Sequence, residues 1–227
     1  MTFDIHTSEM LNRNKQGNFV FAPVDNICNV QIFTEMTMET CSEMVGNLNQ
    51  IIAQLPTRPV FDTSTKIESP YDISPDTFVF DVAIDSTGGH FVAYKAISSM
   101  FALAKSKGAI IRTHNIAEAA SCASMLAIQG TPGFRIMSEF AYNFIHYGNS
   151  SANGKREFEL ETATRNKVKD RAQVLSVYER YTKLTEKEMD KFKTVESAGT
   201  LFANQCLAKH ICDWILTNSG ELIGRKR

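Results

Sequence analysis

Three short runs carry residue types that could do chemistry. Asp85-Ser86-Thr87-Gly88-Gly89 follows an apolar run and precedes a helical pattern. Paired glycines let a backbone turn so that its N–H groups face outward, where they can stabilise an oxyanion. Taken alone, the run reads as a tight strand-to-helix turn. It is neither a dinucleotide fingerprint nor a phosphate loop, because G-x-G-x-x-G and Gly-Lys-Ser/Thr are both absent. Ser121 lies in Ala117-Glu118-Ala119-Ala120-Ser121-Cys122-Ala123. Small neighbours leave its hydroxyl steric room at the start of an apolar helix, an end that favours negative charge. By itself the motif is helix capping and tight packing. His146 closes the run Ala141-Tyr142-Asn143-Phe144-Ile145 and can exchange a proton near neutral pH. A lone histidine after a strand is usually structural or solvated, and the same holds for His6, His90, His114 and His210.

The elements that must position these residues follow from periodicity. Phe19-Val20-Phe21-Ala22 and Val30-Gln31-Ile32-Phe33 are strand-like. From 38 to 55, apolar residues recur at Cys41, Met44, Val45, Leu48, Ile51, Ile52 and Leu55, the spacing of a helix with one buried face. Residues 56–76, with Pro59, Pro70 and Pro75, read as a surface excursion. Phe78-Val79-Phe80-Asp81-Val82-Ala83-Ile84 is nearly continuous apolar sequence, as in a strand buried on both faces. Helices are expected over 91–107 and 119–129, with strands at 109–113, 134–137 and 141–145. That alternation implies α/β layering with parallel pairing. After a glycine-containing loop at 148–154, the spacing predicts a long charged helix over 157–181. Its thin apolar stripe (Leu160, Ala163, Val168, Val174, Leu175, Tyr178) must be covered elsewhere, often by another subunit. A last amphipathic helix is expected over 201–216.

Composition removes several function classes. With 227 residues and 43% apolar content the chain can bury a core without disulfides or metal. Twenty-four Lys and Arg against 25 Asp and Glu argue against binding nucleic acid by phosphate neutralisation. The one cationic cluster, Gly224-Arg225-Lys226-Arg227, reads as a solvated tail. No window reaches the roughly 18 to 20 apolar residues of a spanning helix, and the N-terminus lacks a signal-peptide pattern. Five cysteines without a C-x-x-C pair fit a reducing, cytoplasmic setting rather than a disulfide frame or zinc site. No metal or cofactor is expected.

The order and spacing of the three runs change their meaning. The set resembles the proteolytic subunit (ClpP) family of the Clp protease, within the crotonase-like superfamily. The family's turn, Asn-Ser-Pro-Gly-Gly, is matched by Asp85-Ser86-Thr87-Gly88-Gly89. Its Gly-x-Ala-Ala-Ser-Met-Gly motif is matched by Ala117-Glu118-Ala119-Ala120-Ser121-Cys122-Ala123, and His146 falls 25 residues after Ser121, as in the family. Residues 148–154 and 157–181 look like the family's glycine loop and handle helix, and the resemblance runs over about 19–216. It implies an α/β fold of repeated ββα units with a protruding long handle helix. The implied division is an N-terminal segment at 1–18, one domain at 19–216 with 56–76 inserted, and a tail at 217–227.

The resemblance also implies an activity: a serine endopeptidase in a self-compartmentalised barrel of stacked rings, degrading polypeptides fed by an ATPase unfoldase. Ser121 would be the nucleophile and His146 its base. Gly88 and Cys122 N–H groups would form the oxyanion hole, and Gly89, His90 and Phe91 would contact substrate through a strand at 90–92. The family's third residue is an aspartate about 50 residues beyond the histidine; counting from the handle lands on Thr194-Val195-Glu196-Ser197, so Glu196 is the candidate and Asp190 the reserve. Asp213 matches a structural aspartate near the family's C-terminus. Cys122-Ala123 in place of Met-Gly, Tyr147-Gly148 in place of Gln-Pro, and glutamate for aspartate support an alternative, a catalytically impaired subunit with a structural or regulatory role in homo- or mixed rings. An acyl-CoA enzyme of the crotonase type needs no serine–histidine pair at this spacing. A Ser–Lys signal-peptide peptidase is disfavoured by His146 and by the lack of a membrane anchor.

Overall fold

The apolar run after residue 77 becomes the centre of a sheet. In the computed structural model, which describes residues 17–146, 157–192 and 199–225, β3 (Val79–Ser86) lies between β2 (Ile27–Ile32) and β4 (Ile110–Ala120), parallel to both. β1 (Asn18–Val20) pairs antiparallel with β2 at one edge. Beyond β4 the sheet continues through β5 (Arg135–Ser138) and β8 (Trp214–Leu216), both parallel, to β9 (Leu222–Gly224), antiparallel. β9 therefore joins the sheet beyond residue 216, where the domain was expected to end. β4 is long enough to serve two partners: its first half pairs β5 and its last three residues pair β6 (Tyr142–Ile145). β7 (Gly199–Phe202) then pairs antiparallel with β6. The nine strands of the described residues, mostly parallel and interleaved with helices, make the α/β fold that the sequence led one to expect.

A parallel sheet must be covered on both faces. On one face lie α1 (Met38–Gln54), α2 (Phe91–Ser106) and α3 (Cys122–Ile128), with Phe80, Val82, Ile84 and Ile111 pointing into a single core. α1 begins at Thr37, whose side chain and that of Thr40 cap each other's backbone, and it buries Cys41, Met44, Leu48, Ile51 and Ile52. α3 is buried along all seven residues. The alternate residues of the strands point to the other face. There Val79, Ile110 and Phe134 form a second cluster, covered by Phe61, Ile67 and Ile73 from the 56–76 segment. Phe61 meets Phe134 edge-on at 5.2 Å, and Tyr71 lies over the Arg112 guanidinium at 4.8 Å. Arg112 is itself buried and pairs with Asp81 through two hydrogen bonds of 3.1 and 2.5 Å. The segment has no regular structure, as its prolines require, but it is a packed cover rather than a free excursion.

α4 (Glu157–Tyr181) has the bounds its periodicity predicts. Its C-terminal end joins the core through Val174 and Tyr178, whereas Val168 is 65% exposed. α5 (Glu186–Lys191) and α6 (Ala203–Ala208) follow. Two expectations are corrected here. Residues 119–120 are strand, not the start of a helix, because β6 offers them a ladder partner. The helix expected over 201–216 divides into β7, α6 and β8. α6 ends before His210, which adopts a left-handed φ of 58° that no helix continues, and β8 is drawn into the sheet beside β5. All five cysteines are free and buried, and no helix of the described residues is long and apolar enough to cross a membrane.

Candidate active site

The turn after β3 is built by backbone contact. Gly88 has φ +93° and Gly89 φ +139°, values that side chains resist. A Cβ on Gly88 would stand 2.5 Å from the Ala120 carbonyl oxygen and 2.9 Å from the Cys122 nitrogen; on Gly89 it would stand 2.5 Å from the Met36 carbonyl oxygen. The two glycines therefore let this turn lie directly against the Ser121 turn on one side and the chain at Met36 on the other. Met36 N–H donates to the Gly88 carbonyl (2.6 Å), and His90 N–H donates to the Met36 carbonyl (2.7 Å). Ser86 holds the turn from within. Its hydroxyl donates to the Thr34 carbonyl at 2.7 Å and accepts the Gly88 N–H at 3.1 Å. The Gly88 amide, expected in the oxyanion hole, thus already has a partner. The strand expected at 90–92 for substrate pairing is not formed: His90 caps α2, which starts at Phe91. Phe91 stacks on Tyr94 at 5.2 Å, and Lys95 Nζ lies 4.4 Å from the centre of its ring.

Ser121 occupies the step from β4 to α3 with φ 52° and ψ −119°. For a residue with a Cβ this conformation costs on the order of 1–3 kcal/mol and persists only where the surroundings enforce it. They do so here: Ser121 N–H donates to the Phe144 carbonyl (2.9 Å), and the next seven residues are locked in buried α3. The side chain is half-buried at the amino end of that helix. Cys122, the neighbouring nucleophile type, is a poor rival. It is 4% exposed, its Sγ donates to the Gly89 carbonyl at 3.2 Å, and burial pushes its thiol up to about 11. It therefore carries almost no thiolate at neutral pH.

His146 follows β6, and β6 runs parallel to β4 with Ala120 opposite Phe144. Ser121 and His146 thus leave the carboxyl ends of two adjacent strands, which lie about 4.8 Å apart. That edge is where ligands gather in open α/β sheets. The imidazole is half-buried, with its ring 5.6 Å from that of Phe144. Burial holds its pKa below the usual imidazole value, so it is neutral and able to accept a proton near pH 7. Glu196 lies outside the described residues, as do Tyr147 and the glycine loop at 148–154. Gly199, three residues beyond Glu196, pairs with Ile145 beside His146. Asp190 is exposed on α5.

Several residues at this site escaped sequence reasoning. Asn143 in β6 accepts a hydrogen bond from Ser124 of α3, and the Ser124 hydroxyl also meets the Tyr178 hydroxyl of α4 at 2.8 Å. All three are fully buried beneath the Ser121 turn. The clue was a polar Asn143 at an inward position between apolar Ala141 and Ile145. Ser86 gave no signal apart from lying in the glycine turn. Asp213 is structural, as expected: it is buried and fixes Arg135 through bonds of 2.8 and 2.7 Å.

A family model described as Clp protease matches residues 74–219, which include Ser121, His146 and the β3 turn. No curated protein matches the chain.

Proposed function

Because the chain belongs to the Clp protease family, we propose that it is a serine endopeptidase subunit acting through Ser121, His146 and Glu196. The observation that carries this reading is the strained Ser121 at a strand-to-helix step, on the strand next to the one that bears a neutral histidine. Strain of that kind exposes a hydroxyl at the helix end. Ser121 Oγ attacks the peptide carbonyl while His146 takes its proton, then returns it to the leaving amine. Glu196 holds the imidazole tautomer; its support is the pairing of Gly199 with the strand of His146. The tetrahedral oxyanion is taken by the Cys122 N–H, the first amide of α3, and by Gly88 once its N–H exchanges Ser86 Oγ for the substrate. The substrate chain passes Gly89, His90 and Phe91. The His90 amide takes no part in holding it, being already given to the Met36 carbonyl.

The family further suggests stacked homo-oligomeric rings and an ATPase unfoldase that delivers unfolded polypeptides, in the cytoplasm. This chain has no phosphate loop of its own, so ATP would be spent by the partner. A second reading is favoured by the Ser86 hydroxyl on the Gly88 amide and by glutamate in place of aspartate: an impaired subunit with a structural or regulatory role. A fluorophosphonate probe separates the two. Labelling of the wild type that disappears in Ser121→Ala supports the peptidase. An unlabelled wild type in its assembled form overturns it in favour of the impaired subunit.

A further inference from the structure

A cavity of about 1130 Å³ opens between the 56–76 segment, α6 and the C-terminal strands, and neither Ser121 nor His146 lines it. Among the described residues, its floor is an unbalanced ion cluster. The Asp213 and Arg135 side chains are 3% and 5% exposed, so both charges sit in the interior. Asp213 Oδ1 takes Arg135 Nη2 at 2.7 Å and Arg225 Nη2 at 2.5 Å. Oδ2 takes Arg135 Nε at 2.8 Å, the Gly133 N–H at 2.7 Å and the Arg135 N–H at 3.2 Å. One carboxylate with all its acceptor positions in use thus serves two guanidiniums.

Lys183 adds a further positive charge to the same wall, while Lys66 and Glu68 at the rim cancel as a pair. His210, also on the wall, reports the result. Burial and then the charges of Arg225, Lys183 and Arg135 push its imidazole down to about 4, so it contributes no charge of its own. Its Nδ1 faces an Arg225 nitrogen and so accepts from it. Positive charge left unmatched at a partly buried site is unfavourable, and an anion from solution relieves it. The space far exceeds what an inorganic ion needs and is slightly larger than most small-molecule sites. Trp214 and Leu207 supply apolar wall beside the cations.

We propose that this cavity binds a small organic oxyanion, its phosphate or carboxylate head held by Arg225 and Lys183 and its apolar body lying against Trp214 and Leu207. Both heads present the same acceptor geometry to a guanidinium, so affinity rather than contact type distinguishes them.

Isothermal titration of the full chain with phenyl phosphate, benzoate and phenol tests this. The expected result is binding of at least one of the two anions, weakening as salt is added, with phenol inert. The stronger of the two anions identifies the head group. Lys183→Gln should weaken that binding about tenfold while the chain stays folded, because Lys183 is exposed on the cavity wall. Arg225→Gln should abolish binding but also loosens β9, so Lys183→Gln is the deciding variant. The proposal is overturned if neither anion binds the wild type below about 10 mM, if phenol binds as well as the anions, or if Lys183→Gln changes nothing.

Discussion

The conformation of Ser121 ties chemistry to stability at a single residue. Its φ of 52° suits glycine and strains any side chain, so the hydroxyl is kept at an energetic cost. Ser121→Gly and Ser121→Ala should both lose peptidase activity, but not equal stability. The glycine variant should be about 1 kcal/mol the more stable, even against the greater freedom of glycine in the unfolded chain. Calorimetric melting of the two variants decides it, and an alanine variant melting higher would mean the turn is relaxed. On the proposed mechanism, His146 sets the pH dependence. Burial lowers its pKa, so the catalytic base form survives to lower pH than an ordinary imidazole allows. The acid limb of kcat/KM should therefore have its midpoint below about 6.5. A kcat/KM with no acid limb at all would remove His146 as the base. Glu196→Gln should cut kcat steeply by favouring the wrong tautomer, with KM little changed. A fall in KM alone, with kcat intact, would take Glu196 out of the triad.

At the scale of elements, the sequence is legible wherever a periodic pattern decides the outcome locally. Met44, Leu48, Ile51 and Ile52 can share a face only on a helix, and α1 has the bounds they imply. The polar α4 is equally plain. Legibility fails where a distant partner decides. Ala119 and Ala120 have no period of their own, and they become strand because β6 runs alongside them. Leu201 and Leu216 look like two ends of one helix until His210 reverses the chain and β5 captures Trp214. The site divides in the same way. Ser121 and His146 are visible from motif and spacing, whereas Asn143, Ser124 and Tyr178 meet only through packing of three elements. α4 also carries a prediction. Val168 is 65% exposed on a helix whose C-terminal end is already anchored, so it is available to another copy. Val168→Asp should lower the sedimenting mass at micromolar concentration without changing the circular dichroism. An unchanged mass, or a wild type already monomeric, would count against association through α4.

For the molecule as a whole, the passage from β2 to β3 has a kinetic consequence. The two strands are parallel neighbours, yet the chain between them first lays α1 on one face of the sheet and then carries 56–76 across the other. The cover cannot close until its target exists, and that target includes Phe134, which the chain supplies only after β3 and β4. Contacts so distant in sequence carry a loop-closure cost that early folding events avoid. The segment should accordingly dock after the rate-limiting step, acting as a latch on a sheet already formed. Phe61→Ala should then leave the refolding rate within about twofold while raising the unfolding rate about tenfold or more, the signature of an interaction absent from the transition state. A chevron in which the refolding arm falls instead would make 56–76 part of the folding nucleus. If the latch is late, the same segment sets how long the assembled sheet stays closed once folded, and its loss would shorten the lifetime of the native state far more than it would slow its formation.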